Sequence, residues 1–360
     1  MTTVQDIYRA VDSLAPFSLG MDFDNPGLLV GDPSAPVSRV LLALDCTCRT
    51  VSQAQNLEAQ LILTHHPVIF HPIKRVTAGS PVFQAASSGI AVISAHTNLD
   101  IASGGVNDCL AQRIGLTQVQ GLEPVSRTPY RKVAAFVPTS HAEAVRDAMT
   151  QAGAGQLGDY SACTFSTPGQ GTFQPEEGAH PFLGQVGQLE RADEVRLEMI
   201  CPPECLDRVV AAMREAHPYE LPAYDVFVDE AVAHTEYLGR IGQLEAPLSP
   251  RDFAQRVKER IGAVSVKYLD ADRPIQTVAL CSGSGADLMG AALAAGADAL
   301  LTADVKHNQF IDAQEAGITL LDAGHFDTED LVLEPLAQRL EALLPVVSFL
   351  VTHYSNIRAV

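Results

Sequence analysis

Short, nearly uninterrupted apolar runs, separated by helix-like segments, constrain the fold of this chain more than any other feature of its sequence. Three such runs lie near the start of the chain: RVLLALD (39–45), AQLILTH (59–65) and GIAVISAH (89–96). Runs of Val, Ile and Leu without polar alternation are typical of strands that are buried on both faces. Because helix-like segments lie between them, they predict a parallel or mostly parallel sheet that helices cover on both faces. The segment FDNPGLLVGDPSAP (23–36), dense in Gly, Pro, Asn and Asp, is predicted to be a loop.

The same order of apolar runs returns near the end of the chain, as TVALCSG (277–283), DALLTADV (298–305) and GITLLDAGH (317–325). We interpret this return as an internal pseudo-repeat of two α/β lobes. The alternative is that unrelated α/β units share generic apolar strands. If the repeat is real, equivalent strand ends of the two lobes can converge on one site.

Between the two lobes, from about 130 to 235, the pattern is different. The segments KVAAFVP, HAEAVRDAMTQAG, GDYSACTFSTPG, VRLEMICP, CLDRVVAAMREAHP and AYDVFVD predict the order strand, helix, strand, strand, helix, strand. This order is typical of a ferredoxin-like α+β domain. Residues 166–192 are rich in Gly, Pro, Gln and Glu and are predicted to form an extended loop or hairpin.

Charge and cysteine content limit the partners that we expect. The 360-residue chain has a formal net charge of −19, which opposes nucleic acids and anionic membranes at long range. Its seven cysteines include no CxxC pair, and we expect reduced thiols. The N-terminus lacks the features of a signal peptide, and no stretch approaches the roughly 18 apolar residues of a membrane span. We therefore expect a cytoplasmic protein that does not bind membranes or nucleic acid.

Side chains with metal-binding chemistry follow three of the predicted strands. They occur in pairs: His65 and His66, His96 and Asp100, and His325 and Glu329. In open α/β sheets the crevice beyond the carboxyl ends of the strands is the usual ligand site. Each pair alone is a weak signal, but three pairs at matching positions of a repeat predict a metal site. Nitrogen and oxygen donors suit zinc, manganese, iron, cobalt or nickel better than an ion that prefers thiolates.

The adjacent histidines favour two ions over one. Pro67 favours an extended conformation for His66, and neighbouring side chains of an extended chain point to opposite sides. One ion for each histidine is therefore an easier geometry than one ion held by both. A carboxylate can bridge two ions about 3.5–4 Å apart, and such a pair can activate water. The glycine-rich GSGAD (283–287) either brings backbone amides to a phosphate or forms a turn.

Six motifs occur in order over about 1–125 and 238–345: DFDNPGLLVGDP, LALDCT, LTHHPVIFHP, AHTNLD, GADALLTADVKHN and DAGHFDTE. In this combination the chain resembles the dinuclear metal-centre proteins called GTP cyclohydrolase 1 type 2 homologues, the NIF-three-like family. The resemblance implies that Glu329 bridges two divalent ions and that His96 lies close to them or contacts the substrate. It implies the metal ligands His65, His66, Asp100, His325 and Glu329.

The resemblance also implies an assembly. Family members form toroidal homohexamers whose metal sites face the interior, and inserted domains cap the openings. HPYELPAYDVF in the middle segment resembles the domain of the longer bacterial members, which is similar to trimeric nitrogen-regulatory and copper-tolerance proteins. The chain departs from the family at Phe23, where tryptophan is usual, and at Phe326, where tyrosine is common, but neither change removes a ligand.

These observations predict an α/β protein whose two pseudo-repeated lobes form one metal-binding unit, interrupted by an inserted α+β ferredoxin-like domain. The expected domains are 1–127, 128–237 and 238–360. We predict a metal-dependent hydrolase that acts on a nucleotide-like or other small-molecule substrate, GTP being one candidate, with His96 and Glu329 as catalytic residues. The alternative is a non-catalytic metal-handling or regulatory protein whose inserted domain senses a small ligand.

Overall fold

The computed structural model describes residues 1–355, which fall into two compact units. The first unit comprises Met1–Val125 together with the chain from Glu236 onward, and the second comprises Ser126–Thr235. The described cysteines are all free thiols. No helix among residues 1–355 has both the length and the apolar character needed to cross a membrane.

The first unit begins with an alternation of helices and short strands. Their bounds are α1 (Val4–Leu14), β1 (Gly27–Val30), β2 (Arg39–Ala43), α2 (Cys48–Asn56), β3 (Leu61–Thr64), α3 (Pro81–Ser87), β4 (Ala91–Ser94), α4 (Thr97–Ile101) and α5 (Val106–Ile114). Strands β2, β3 and β4 lie inside the three predicted apolar runs. The loop predicted over 23–36 is wrong in part, because Gly27–Val30 pairs antiparallel with β4. Leu28 and Leu29 pack against cores on opposite sides of the sheet, which explains why this short apolar segment is a strand.

The second unit contains two helices and parts of long strands. The elements of this stretch are β5 (Thr117–Pro138), α6 (Ala142–Gln151), β6 (Phe165–Phe173), β7 (Glu190–Cys201), α7 (Leu206–Ala216) and β8 (Tyr224–Leu248). β7 pairs antiparallel with both β5 and β6, so the segment predicted as a loop or hairpin contributes to a β6–β7 hairpin. β5 and β8 are much longer than the predicted runs, and each has residues in both units.

The chain then completes the first unit. The remaining elements are α8 (Pro250–Ile261), β9 (Lys267–Leu269), β10 (Ile275–Leu280), α9 (Met289–Ala294), β11 (Ala299–Thr302), α10 (His307–Ala316), β12 (Thr319–Asp322), α11 (His325–Glu329), α12 (Leu333–Leu343) and β13 (Ser348–Val351).

The sheets of the first unit have matching strand orders. One sheet has the order β1-β4-β3-β2-β13, in which β2, β3, β4 and β13 are parallel and β1 is the antiparallel edge. In the other, β10, β11 and β12 are parallel, and antiparallel β9 lies beside β12. The protein is therefore a mixed α/β fold with two sheets.

The unbroken apolar runs follow from burial on both faces of each sheet. In β2, Val40 and Leu42 pack into the core that contains α1 and α12, whereas Leu41 packs into a separate core with α2. In the other sheet, Leu301 and Leu300 likewise belong to cores on opposite faces. Because both faces are apolar, the polar residues of these segments lie beyond the strand ends, where the site forms.

Candidate metal centre

All six predicted site residues lie in the first unit, just past the carboxyl ends of parallel strands. His65 and His66 directly follow β3, and α4 and α11 begin soon after β4 and β12. The side chains form three overlapping groups in which the donor atoms lie within 4.8 Å of one another. The groups are His65, Asp100 and Glu329; His66, His325 and Glu329; and His65, His66 and His96.

The first group surrounds a buried imidazole nitrogen. Nε2 of His65 lies 3.6 Å from Oδ1 of Asp100 and 3.7 Å from Oε1 of Glu329. Nδ1 of His65 lies 2.8 Å from the carbonyl oxygen of Ala95, which can only accept, so Nδ1 carries a proton. Nε2 is buried and has no hydrogen-bond partner among the described residues. A buried nitrogen without a partner, facing two carboxylates, fits a bound cation.

The second group centres on the other oxygen of the same glutamate. Oε2 of Glu329 lies 2.9 Å from Nε2 of His66 and 3.0 Å from Nε2 of His325. The two Nε2 atoms are only 3.2 Å apart. Glu329 therefore offers one oxygen to each group, and its own side chain is almost completely buried.

Two aspartates that the sequence did not single out orient these histidines. Oδ1 of Asp45 lies 2.8 Å from Nδ1 of His66, and Oδ2 of Asp304 lies 2.7 Å from Nδ1 of His325. A carboxylate at Nδ1 directs Nε2 to the metal, and this pairing is usual for metal-binding histidines. Both aspartates follow strands, and both precede their histidine by 21 residues. This shared spacing in the two lobes is the sequence signal that could have identified them.

His96 lies beside the histidine pair. Its ring centroid is 5.2 Å from that of His65 and 5.6 Å from that of His66. Nδ1 of His96 lies 2.7 Å from Oδ1 of Asp24, a third carboxylate that the sequence did not single out. Burial opposes ionisation of Asp24, but hydrogen bonds from His96 and Thr97 outweigh it and lower the pKa of this carboxyl to about 2. The ionised Asp24 therefore fixes the orientation of His96.

The carboxylates and imidazoles of the site shift one another's pKa values. Burial alone would raise the pKa of Glu329, but the surrounding histidines hold it well below its ordinary value. Burial lowers the pKa of His66, but hydrogen bonds to Asp45 and Glu329 outweigh it and raise this pKa to about 10. The hydrogen bond to Glu329 likewise raises the pKa of His325, to about 9. Burial raises the pKa of Asp100. Divalent cations compensate the charges of such a set of carboxylates and imidazoles at a lower free-energy cost than protons that the side chains share.

The turn after β10 packs against the side chain of Glu329. A Cβ atom on Gly283, whose φ is +57°, would collide with Oε1 of Glu329. The amide of Gly283 donates to Oγ1 of Thr328, and the amide of Gly285 donates to Oγ1 of Thr302. Ser282 donates its hydroxyl proton to Oδ1 of Asp100 at 3.1 Å. The amides of Gly283 and Gly285 are therefore already bonded within the protein, which favours a structural turn for GSGAD.

Comparisons with known proteins identify the family of this chain. The model of the family Duf34/NIF3 (NGG1p interacting factor 3) matches residues 2–357. A GTP cyclohydrolase 1 type 2 homolog of Halalkalibacterium halodurans is 38% identical over 345 residues, covering 94% of this chain and 92% of the relative. A protein of the same name from Mycobacterium tuberculosis is 37% identical over 354 residues, covering 95% and 93%.

A solved structure shows the same fold over the full chain. The crystal structure of a Bacillus cereus protein related to NIF3 superposes with a TM-score of 0.91 at 36% identity. It covers 100% of this chain and 99% of the Bacillus cereus chain. The chain therefore belongs to the Duf34/NIF3 family, as the family model, the curated relatives and this solved structure all show.

Proposed function

We propose that the protein is a metal-dependent hydrolase that holds two divalent ions in each chain. One ion would be bound by His65, Asp100 and Glu329, and the other by His66, His325 and Glu329. The observation that carries the proposal is that Glu329 presents one carboxylate oxygen to each group. The nitrogen and oxygen donors suit zinc, manganese, iron, cobalt or nickel.

Two divalent ions at these positions would supply Lewis acidity, which would polarise a substrate and lower the pKa of water. The protein contributes the geometry. Asp45 and Asp304 hold the imidazoles of His66 and His325 in place. His96, held by Asp24 through Nδ1, lies in one group with His65 and His66 and is the group that accepts or returns a proton.

A cavity beside the metal centre supports a small-molecule substrate. It has a volume of about 440 Å³ and adjoins His325 and Asp304, which is within the range of ligand sites. Its lining includes Lys267, which lies 3.7 Å from Asp322 and could also contact a phosphate, and Phe326, whose ring could contact a base. The printed name of the relatives refers to GTP cyclohydrolase, so a purine nucleotide is the first substrate to test.

The experiment is turnover by metal-loaded protein on a panel of nucleotides that includes GTP. We expect hydrolysis by the wild type and none by Glu329→Gln, because this variant weakens both metal positions. His96→Gln should retain its metal but lose about 10²–10⁴-fold in kcat if the imidazole transfers a proton. Asp312→Asn, at an exposed position of α10, is the matched control and should match the wild type.

If the wild type and both site variants hydrolyse none of the nucleotides in the panel, the proposed hydrolase activity is contradicted. With two ions still bound, that result would favour the alternative, a protein that handles metal without turnover. Loss of activity in Asp312→Asn would show that a surface change alone impairs the enzyme, and the site assignment would then fail.

We also propose the architecture implied by the repeat: lobes 1–127 and 238–360, with an inserted ferredoxin-like domain at 128–237. The matching strand orders of the two sheets of the first unit support the repeat. Assembly as a cytoplasmic homohexamer is what the family resemblance implies. Apolar residues exposed on β8, namely Val226, Phe227 and Val228, offer a surface for self-association. Light scattering should give six times the 38.4-kDa chain mass, and a monomer would contradict the assembly.

A further inference from the structure

The second unit contains a cavity that the proposed hydrolase does not use. Its volume is about 490 Å³, a size typical of small-molecule sites. The wall is mainly apolar and aromatic, and its rings are those of Phe136, Phe173, Phe182 and Tyr219. The ring of Tyr219 lies 5.6 Å from that of Phe173 and 6.4 Å from that of Phe182, so three aromatic faces are neighbours.

Two carboxylates line this cavity, and Glu194 is the buried one. Glu194 is only 9% exposed, and its Oε1 accepts a 2.9 Å hydrogen bond from the hydroxyl of Tyr219. Within residues 1–355, Oε2 has no hydrogen-bond partner, and no Lys, Arg or His lines the cavity. A carboxylate in apolar surroundings is costly unless a cation or donors compensate it. The remaining carboxylate in the wall, Glu220, adds negative charge.

The position of this carboxylate is fixed by its neighbours. A Cβ atom on Gly171 would collide with the carboxylate of Glu194, so the glycine leaves the space that the side chain occupies. Nδ1 of the buried His217 accepts from the amide of Tyr219 at 3.1 Å, and Nε2 donates to the carbonyl oxygen of Phe136 at 2.9 Å. His217 thereby joins β5, which carries Phe136, to the segment between α7 and β8, which carries Tyr219. The cavity is built before any ligand enters it.

We propose that this cavity binds an organic monocation, an amine with an apolar body. The ammonium group would donate to Oε2 of Glu194 and lie against the faces of Tyr219 and Phe173, because aromatic rings attract cations. The apolar body would contact Phe136 and Leu221. The two carboxylates disfavour anions, and a neutral ligand would not supply a positive charge to Oε2 of Glu194, so its hydrogen bond there would be weaker.

The test is calorimetric titration of the full chain with 2-phenylethylammonium, benzyltrimethylammonium and hexylammonium. The comparison ligands are 2-phenylethanol, which keeps the body without the charge, and 3-phenylpropionate, which reverses the charge. We expect saturable binding of at least one ammonium ligand, at least about tenfold tighter than binding of 2-phenylethanol. We expect no binding of 3-phenylpropionate. No binding of any ammonium at millimolar concentration, or equal binding of 2-phenylethylammonium and 2-phenylethanol, would overturn the proposal.

Two variants locate the site. Glu194→Gln keeps the shape but removes the charge, and it should weaken ammonium binding at least about tenfold. Glu215→Gln removes the same charge from an exposed position of α7 and should bind as the wild type. Unchanged binding by a folded Glu194→Gln would overturn the proposal. If this variant does not fold, Phe173→Leu replaces it, and the comparison of ammonium with alcohol in the wild type decides by itself.

Discussion

At the scale of single residues, the adjacent histidines carry the clearest link from sequence to site. The proline after His66 and the alternation of an extended chain predict that the two rings face different partners. In the structure, Nε2 of His65 faces Asp100, whereas Nε2 of His66 faces His325. Asp45 and Asp304 were missed, because a lone aspartate after a strand does not reveal which histidine it will contact. Only a comparison of the two lobes shows that each precedes its histidine by the same 21 residues.

Substitution of single ligands should remove the ions selectively. Asp100→Asn weakens only the ion position that includes His65, so we expect about one ion per chain to remain. Glu329→Gln weakens both ion positions and should leave almost no metal. The measurement is metal content by mass spectrometry after loading and desalting. Equal metal content in the two variants would show that Glu329 is not shared.

Substitution of the aspartates that orient the histidines should lower the metal affinity but leave the number of bound ions unchanged. Asp45→Asn and Asp304→Asn leave every proposed ligand in place but remove the charge at Nδ1 of His66 or His325. We expect metal affinity to fall about 10–100-fold, with two ions still bound at saturation. Competition with a chelator measures this, and Asp312→Asn on α10 is the control. Wild-type affinity in both variants would refute the orienting role.

At the scale of elements, the sequence predicts short strands well where both faces are buried. The runs that contain β3 and β11 are unbroken, and their polar residues begin where the strand ends. β1 was missed because its four residues lie between Pro26 and Gly31, and turn residues conceal a short edge strand. β5 and β8 were predicted too short because the stretches beyond the predicted runs contain many polar residues, and only pairing with neighbouring strands extends them.

The turn after β10 gives a prediction at this scale. Gly283→Ala places a methyl group against Oε1 of Glu329 and adds about 1–2 kcal/mol of left-handed backbone strain. We expect a lower melting temperature and loss of metal from the position shared with His65. Gly290→Ala is the matched control, because Gly290 lies exposed in α9 with open space around its Cα.

The control should be neutral or slightly stabilising, since alanine in a helix is favoured over glycine by about 0.5–1 kcal/mol. Calorimetry and metal analysis on both variants make the comparison. Full metal content in a folded Gly283→Ala would show that the close approach of this turn does not position Glu329.

At the scale of the whole molecule, the proposed ligands come from segments that are far apart in sequence. Residues 65–100 and 325–329 meet only when the first unit is folded, and the second unit contributes none of them. The spacing of motifs predicts which strand ends carry ligands. It does not predict the distances between them, because these depend on packing over more than two hundred intervening residues.

Removal of metal should therefore destabilise one unit selectively. Ligands that bind only the folded state stabilise it, so chelation should increase hydrogen exchange in peptides covering 61–101 and 281–329. Peptides covering 140–215 should exchange at the same rate with and without metal. Hydrogen–deuterium exchange by mass spectrometry measures both. Equal deprotection of the two units would contradict the assignment of the ions to the first unit.

The central claim is that two ions share Glu329, and anomalous diffraction from crystals of the metal-loaded protein tests it most directly. We predict two anomalous peaks in each chain, about 3.5–4 Å apart. One should lie beside Nε2 of His65 and Oδ1 of Asp100, and the other beside Nε2 of His66 and Nε2 of His325, with an oxygen of Glu329 at each. A single peak, or two peaks of which one does not contact Glu329, would contradict it.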